Sequence, residues 1–197
     1  MSIAIRCLNG EDILDHLVDL ARLRIEVFHE YPYLYAGDLD YEMDYLRAYS
    51  RSPESVFVLA QADGKTVGIA SGLPLDQAHA EFRQPFLAQG IDPGGIFYFG
   101  ESVLLRAFRG QGVYRYFFLE RENHARSLGR FRYATFCAVE RPADHAARPA
   151  DYRPLDTYWS KRGYVRRPDL QTQYPWRDRG AKEETFKPMV FWVKSLD

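Results

Sequence analysis

Arg109-Gly110-Gln111-Gly112-Val113-Tyr114 separates a strand-like run, residues 96–105, from a run of helical periodicity, residues 111–128, that Gly129 closes. A strand, a tight glycine loop and a helix N-terminus in succession leave backbone N–H groups without partners and add the positive end of the helix dipole. An anion is the natural occupant. Gly110 and Gly112 remove the side chains that would hold a diphosphate off, and Arg106, Arg109 and Arg115 can add charge-assisted contacts. No Gly-Lys-Ser/Thr follows, which argues against a nucleoside triphosphate loop, and the third glycine of the dinucleotide fingerprint is missing. Taken alone, the same residues also read as an ordinary strand-to-helix turn with surface arginines.

Outward from the loop, the pattern alternates between the two periods. Residues 3–8 read as a first strand ended by Gly10, and residues 11–28 as a helix with acids in its first turn. Pro32 interrupts, and a second helix is predicted over 41–50. Residues 56–61 and 65–72 read as antiparallel strands joined at Asp63-Gly64, a strong hairpin signal. Residues 132–139 resume strand character, 155–162 can form a short helix, and 164–166 and 186–193 close the chain as strands around a polar excursion over 168–184. Residues 76–95, with mixed helical and turn signals and Pro85 among them, read as an insertion or lid, and 141–154, with three prolines, as an irregular insertion, both within a single domain spanning 1–197.

Composition bounds the function. The 197 residues carry 26 basic and 27 acidic side chains, dispersed along the chain, so no bulk footprint for nucleic acid or an anionic membrane arises. Cys7 and Cys137 form no Cys-x-x-Cys pair, and no apolar run has signal-peptide or transmembrane length. A reducing cytoplasm fits these features. The five histidines show no i, i+4 pairing, so no metal is expected. Cys137 reads as a small buried hydrophobe.

With the loop in its setting, the chain resembles the GCN5-related N-acetyltransferase (GNAT) superfamily, whose acetyl-CoA motif is Arg/Gln-x-x-Gly-x-Gly/Ala at the head of a long helix. Arg109, Gly110, Gln111, Gly112 and Val113 match it, and Tyr114 departs from the final small residue. Tyr158-Trp159-Ser160-Lys161-Arg162-Gly163-Tyr164 is similar to the family's aromatic-Tyr-x-Lys-x-Gly-Phe segment. The resemblance implies an α/β (α+β) fold, with a mixed, mostly antiparallel central sheet flanked by helices and splayed central strands. It implies acetyl-CoA as co-substrate, its pantetheine arm bonded by Val103 and Leu104 and its diphosphate by residues 110–115. The implied activity is direct acetyl transfer to a primary amine, with three alternatives: a non-catalytic acyl-CoA-binding module, a transferase for a longer acyl group, and one for a protein N-terminus.

The chemistry selects candidate residues. A Lys-like amine must lose a proton to attack, at a cost of roughly 4–5 kcal/mol near pH 7. A carboxylate commonly assists. Glu101 is the candidate base, because a lone carboxylate in an apolar, aromatic strand is costly unless useful or paired, the plain reading being a salt bridge to an arginine. The family's thiolate-protonating tyrosine aligns with Trp159, whose indole N–H cannot exchange a proton usefully, so neighbouring Tyr158 becomes the candidate acid, with Tyr152 as a further hydroxyl and core packing as the plain reading. Tyr31, Tyr33, Tyr35 and Asp38, in an acidic, tyrosine-rich run between the first two helices, are the candidate acceptor residues and suit a cationic small molecule. They also read as a solvated helix start with tyrosines packing inward. A homodimer stands as an option.

Overall fold

Asp63 and Gly64 take positive φ values of 49° and 77°, the backbone a two-residue hairpin needs. In the computed structural model, which describes residues 2–197, they join β2 (Val56–Ala62) to β3 (Lys65–Pro74) as an antiparallel pair. β1 (Ile3–Asn9) adds to β2 and β4 (Ile96–Leu104) to β3, both antiparallel. β5 (Tyr133–Val139) pairs in parallel with β4, the one such pairing among the described residues. β6 (Val165–Arg177) and β7 (Glu184–Ser195) complete a seven-stranded sheet in the order β1-β2-β3-β4-β5-β7-β6.

Helices cover both faces because β2 to β4 are apolar on both. On one face α1 (Leu17–Phe28), α2 (Leu39–Ser50) and α3 (Ala80–Ala88) bury Leu20, Leu46 and Phe86 against Ile69 and Phe191. On the other α4 (Val113–Ser127) and α5 (Asp156–Lys161) pack Phe117, Phe118 and Trp159 against Phe99, Phe136 and Trp192. Each fully buried leucine, isoleucine or phenylalanine among these contributes about 1.5–3 kcal/mol.

Three sequence expectations change. The first helix begins as a 3-10 turn, Gly10–His16, before α1. The stretch 76–95 is no loose lid: it holds α3, whose Phe82 and Phe86 enter the core. The polar excursion over 168–184 is mostly β6 itself, with a register shift between Arg167 and Gln171. Its prolines and charges suit an edge strand, which has one free row of backbone groups, while Leu170 and Trp176 are buried. Residues 141–154 form no regular element, but Arg141 fastens them by donating to the carbonyls of Pro32 and Tyr33 and to Asp178. Among the described residues no helix is long and apolar enough to cross a membrane.

Candidate functional site

β4 and β5 pair only at Ile96↔Tyr133, Phe97↔Ala134 and Tyr98↔Thr135. Beyond that point each follows its other neighbour, Ser102 to Leu104 staying on β3 and Phe136 to Val139 on β7. The two facing edges separate, and a cleft of 1390 Å³ opens between them toward the glycine loop. Leu105 donates its N–H to Val67 O at 2.9 Å, so by ladder alternation Val103 also turns its backbone to β3 while Ser102 and Leu104 turn theirs to the gap. Val103, expected on the cleft wall, is therefore a core residue paired with Ile69, and Ser102 takes its place beside Leu104.

At the head of α4, Gly110 and Gly112 have φ of 78° and 79°, and a Cβ on either would meet no protein atom within 4 Å. Gly112 is the helix N-cap, and no side chain caps it. Among the described residues, the N–H groups from Gly110 to Tyr114 donate to no protein acceptor. They form a cradle of free donors at the positive end of a helix of 15 residues. Tyr114 does not crowd it, because its ring turns into the core against Phe118 and Tyr158 at 5.4 and 5.3 Å. Val113 is likewise buried, and Gln111 bonds the Ala107 carbonyl, so both face the cradle through backbone alone.

Arg109 differs from its expected role. Its guanidinium forks onto Glu30 at 2.8 and 2.9 Å and its Nε donates to Leu104 O, which staples the loop to β4 and to the end of α1. Arg106 and Arg115 remain on the cleft rim, the first 80% exposed.

Glu101 lies where this cleft meets a second cavity of 440 Å³ between α2, α3, β4 and β6. A bulge aims it there. Gly72 pairs with Phe99 but Ala70 with Ser102, one extra residue on β4. Before it, Phe97 and Phe99 face α4; after it, Val103 faces α1. Glu101 consequently points to the α1 side, where a regular strand would have sent it to α4. Gly100 allows the bend, since a Cβ there would sit 2.6 Å from Ser71 Oγ and 2.9 Å from the Tyr49 ring.

The Glu101 side chain is 1% exposed. Its Oε2 accepts from Arg24 Nη1 at 2.5 Å, while Oε1 is buried without a partner. Arg24 Nε also donates to Glu42, so one buried guanidinium serves two carboxylates, held over the Tyr45 ring at 4.3 Å. Burial pushes the Glu101 carboxyl above the ordinary range against the pull of Arg24, and the Glu42 charge pushes it further. From the α4 side Arg121, also buried, donates to the carbonyls of Ser71 and Glu101 and to Ser102 Oγ, fixing the bulge. Burial lowers the Arg121 pKa to about 10.

Sequence reasoning missed Arg24, Glu42 and Arg121. A signal existed: Arg24 falls on the buried stripe of Leu17, Leu20 and Ala21, and Glu42 on that of Leu46 and Tyr49. Of the expected acceptor residues, Tyr33, Tyr35 and Asp38 line the smaller cavity. Asp38 also caps α2, its Oδ1 accepting the Tyr41 N–H at 2.9 Å. Tyr31 belongs instead to the larger cleft, edge-on to Tyr152 at 4.6 Å, because Pro32 and the hold of Arg141 turn it away. Tyr158 lines the larger cleft with its hydroxyl buried and unpartnered, and Trp159 packs on Phe136 and Trp192 at 5.0 and 5.2 Å. Cys137 lines both spaces, its thiol pushed up to about 12 by burial and so inert near neutral pH.

No protein-family model and no curated protein matches the sequence. Solved structures match throughout its length. The acetyltransferase of the GNAT family from Streptococcus pneumoniae superimposes with a TM-score of 0.58 at 16% identity, covering 100% of both chains. The fold is that of the GNAT acetyltransferases. A ribosomal-protein-alanine N-acetyltransferase from Brucella melitensis gives 0.61 at 16% identity over 98% of this chain and 99% of its own. A Salmonella typhimurium protein described as an acetyltransferase and solved with its cofactor acetyl-CoA gives 0.57 at 16% identity, over 100% of this chain and 95% of its own. The GNAT sheet, mostly antiparallel with splayed central strands, is thus the expected one.

Proposed function

We propose that this chain is an N-acetyltransferase that moves an acetyl group from acetyl-CoA to the primary amine of a small molecule. One observation carries the reading: the backbone edge of β4 that no strand pairs, occupied only where Arg109 bonds Leu104 O, runs from a cradle of unpartnered N–H groups to a buried carboxylate with an open oxygen, at the junction of two cavities. The residues fit the co-substrate. Residues 110–114 with Arg115 would hold its diphosphate, and Ser102 and Leu104 would bond its amide-bearing arm. Acetyl-CoA supplies an activated acyl carbon; the amine nitrogen bonds to that carbon as the C–S bond breaks.

Glu101 Oε1 takes the proton the amine must lose, its raised pKa bringing it nearer the operating pH. To Tyr158, whose hydroxyl is buried without a partner in the wall of the larger cleft, we assign the return of a proton to the departing sulfur. Burial raises its pKa, so the hydroxyl stays protonated and able to donate. Its replacement by phenylalanine is expected to lower kcat about 100-fold with the KM for acetyl-CoA unchanged, as read by steady-state thiol release. An unaltered kcat would leave Tyr158 a packing residue.

The binding half is tested by thermal shift. Acetyl-CoA at about 100 times its Kd should stabilise the protein by about 2.7 kcal/mol. Gly112→Val, which puts a β-branched side chain in a left-handed backbone and into the cradle, should abolish that shift. No shift with any CoA compound would sink the proposal.

A further inference from the structure

We infer that the acceptor is a monoamine carried on a flat aromatic body, an arylalkylamine in kind, seated in the 440 Å³ cavity with its nitrogen toward Glu101. This rests on the transferase reading above and adds the chemical class. The cavity wall is built of parallel rings. Phe82 stacks on Tyr98 at 4.9 Å and 23° and on Tyr174 at 5.2 Å and 16°. Of the six tyrosines that line the cavity, four have paired hydroxyls: Tyr41 with Tyr174 at 2.8 Å, Tyr45 with Tyr49 at 2.7 Å, Tyr98 with Cys137 Sγ at 3.4 Å. What this part of the wall offers is therefore mainly ring, Phe82 by its edge because Tyr98 and Tyr174 stack on it, and such a wall favours another ring in contact with it.

Charge limits the number of amines. Glu42 and Glu101 share Arg24, so two carboxylates and one guanidinium leave one net negative charge when all are ionised. One ammonium balances it. Of the residues lining the cavity, Glu101 alone has a buried side-chain oxygen without a partner. Asp38, whose Oδ1 caps α2, and Glu184, across the β6–β7 ladder from Arg177, stand toward the mouth, so the anchor buried beside the rings is single and a polyamine would have to leave its other ammonium groups outside it.

The test is a panel of 2-phenylethylamine, hexylamine, spermidine and a peptide with an N-terminal alanine, each measured by CoA thiol release and by calorimetric binding to the protein alone. The inference expects kcat/KM for 2-phenylethylamine to exceed that of the other three by about tenfold or more, the worth of roughly one to two ring contacts. Phe82→Leu, which keeps apolar volume and removes the ring, should cancel the advantage over hexylamine and leave the acetyl-CoA thermal shift intact. Turnover that favours spermidine or the peptide, or that ignores the ring, overturns the aromatic acceptor while the transferase reading stands. If acetyl-CoA produces no shift, the transferase reading fails, and calorimetry still decides the cavity: tighter binding of 2-phenylethylamine than of hexylamine upholds its ligand class, and equal or no binding removes it.

Discussion

Glutamine in place of Glu101 is expected to lower kcat by about 10²–10⁴-fold while acetyl-CoA binding is unchanged. The amide keeps the shape of the carboxyl and its oxygen can still accept from Arg24 Nη1, so what is lost is the ability to take a proton at Oε1. In the parent, kcat should rise with pH through a Glu101 pKa lying above 4.5, because burial outweighs Arg24. Glu42→Gln removes a charge that raises this pKa and should move the same limb to lower pH. The stability sign is fixed independently. A carboxyl whose folded pKa is raised contributes stability below its unfolded value and loses it as pH rises through the folded value. Glu101→Gln should therefore melt no lower than the parent at pH 8, with the difference narrowing toward pH 4.5. A variant that retains the parental kcat at every pH would exclude Glu101 as the base.

The same residues show what a sequence can and cannot reveal. The loop at 109–114, the hairpin at Asp63-Gly64 and the helices over 17–28 and 113–127 are local: glycine conformational freedom and hydrophobic period specify them within a few neighbours. Glu101 was legible as a carboxylate out of place in an apolar strand. Its direction was not, because the bulge at Gly100 reverses the face on which every later β4 residue falls, and a period-2 reading carries straight through it. Gly100 inside a strand was the one available hint. β6 was obscured for a different reason. An edge strand exposed along much of its length has little apolar alternation to read, and Pro168 and Pro175 resemble loop residues until the sheet order shows them at the edge. The Arg24–Glu42–Glu101 cluster joins three elements far apart in sequence, and only the fold brings its charges together.

That cluster should dominate the response of the fold to mutation. Arg24→Met keeps the apolar stem and the helix propensity but leaves Glu42 and Glu101 facing each other in a dry site with no cation, a change expected to cost about 3–5 kcal/mol. For a chain of this size that corresponds to roughly 6–20 °C in Tm, at about 2–4 °C per kcal/mol. The loss should depend on pH with a definite sign. Without the guanidinium, the folded-state pKa of Glu101 rises further, since Arg24 is the largest influence now lowering it. Destabilisation is then greatest at neutral and alkaline pH and shrinks as pH falls toward the unfolded carboxylate value, where Glu101 is protonated in both states. Adding Glu42→Gln and Glu101→Gln to Arg24→Met removes the buried charge altogether and should restore most of the stability, though not the turnover. Urea denaturation of the single and triple variants at pH 8 and pH 5 separates the two effects. Equal stability of Arg24→Met and the parent at pH 8 would mean that Arg24 does not hold two ionised carboxylates together in a dry site, and the stabilising role assigned to the cluster would fall.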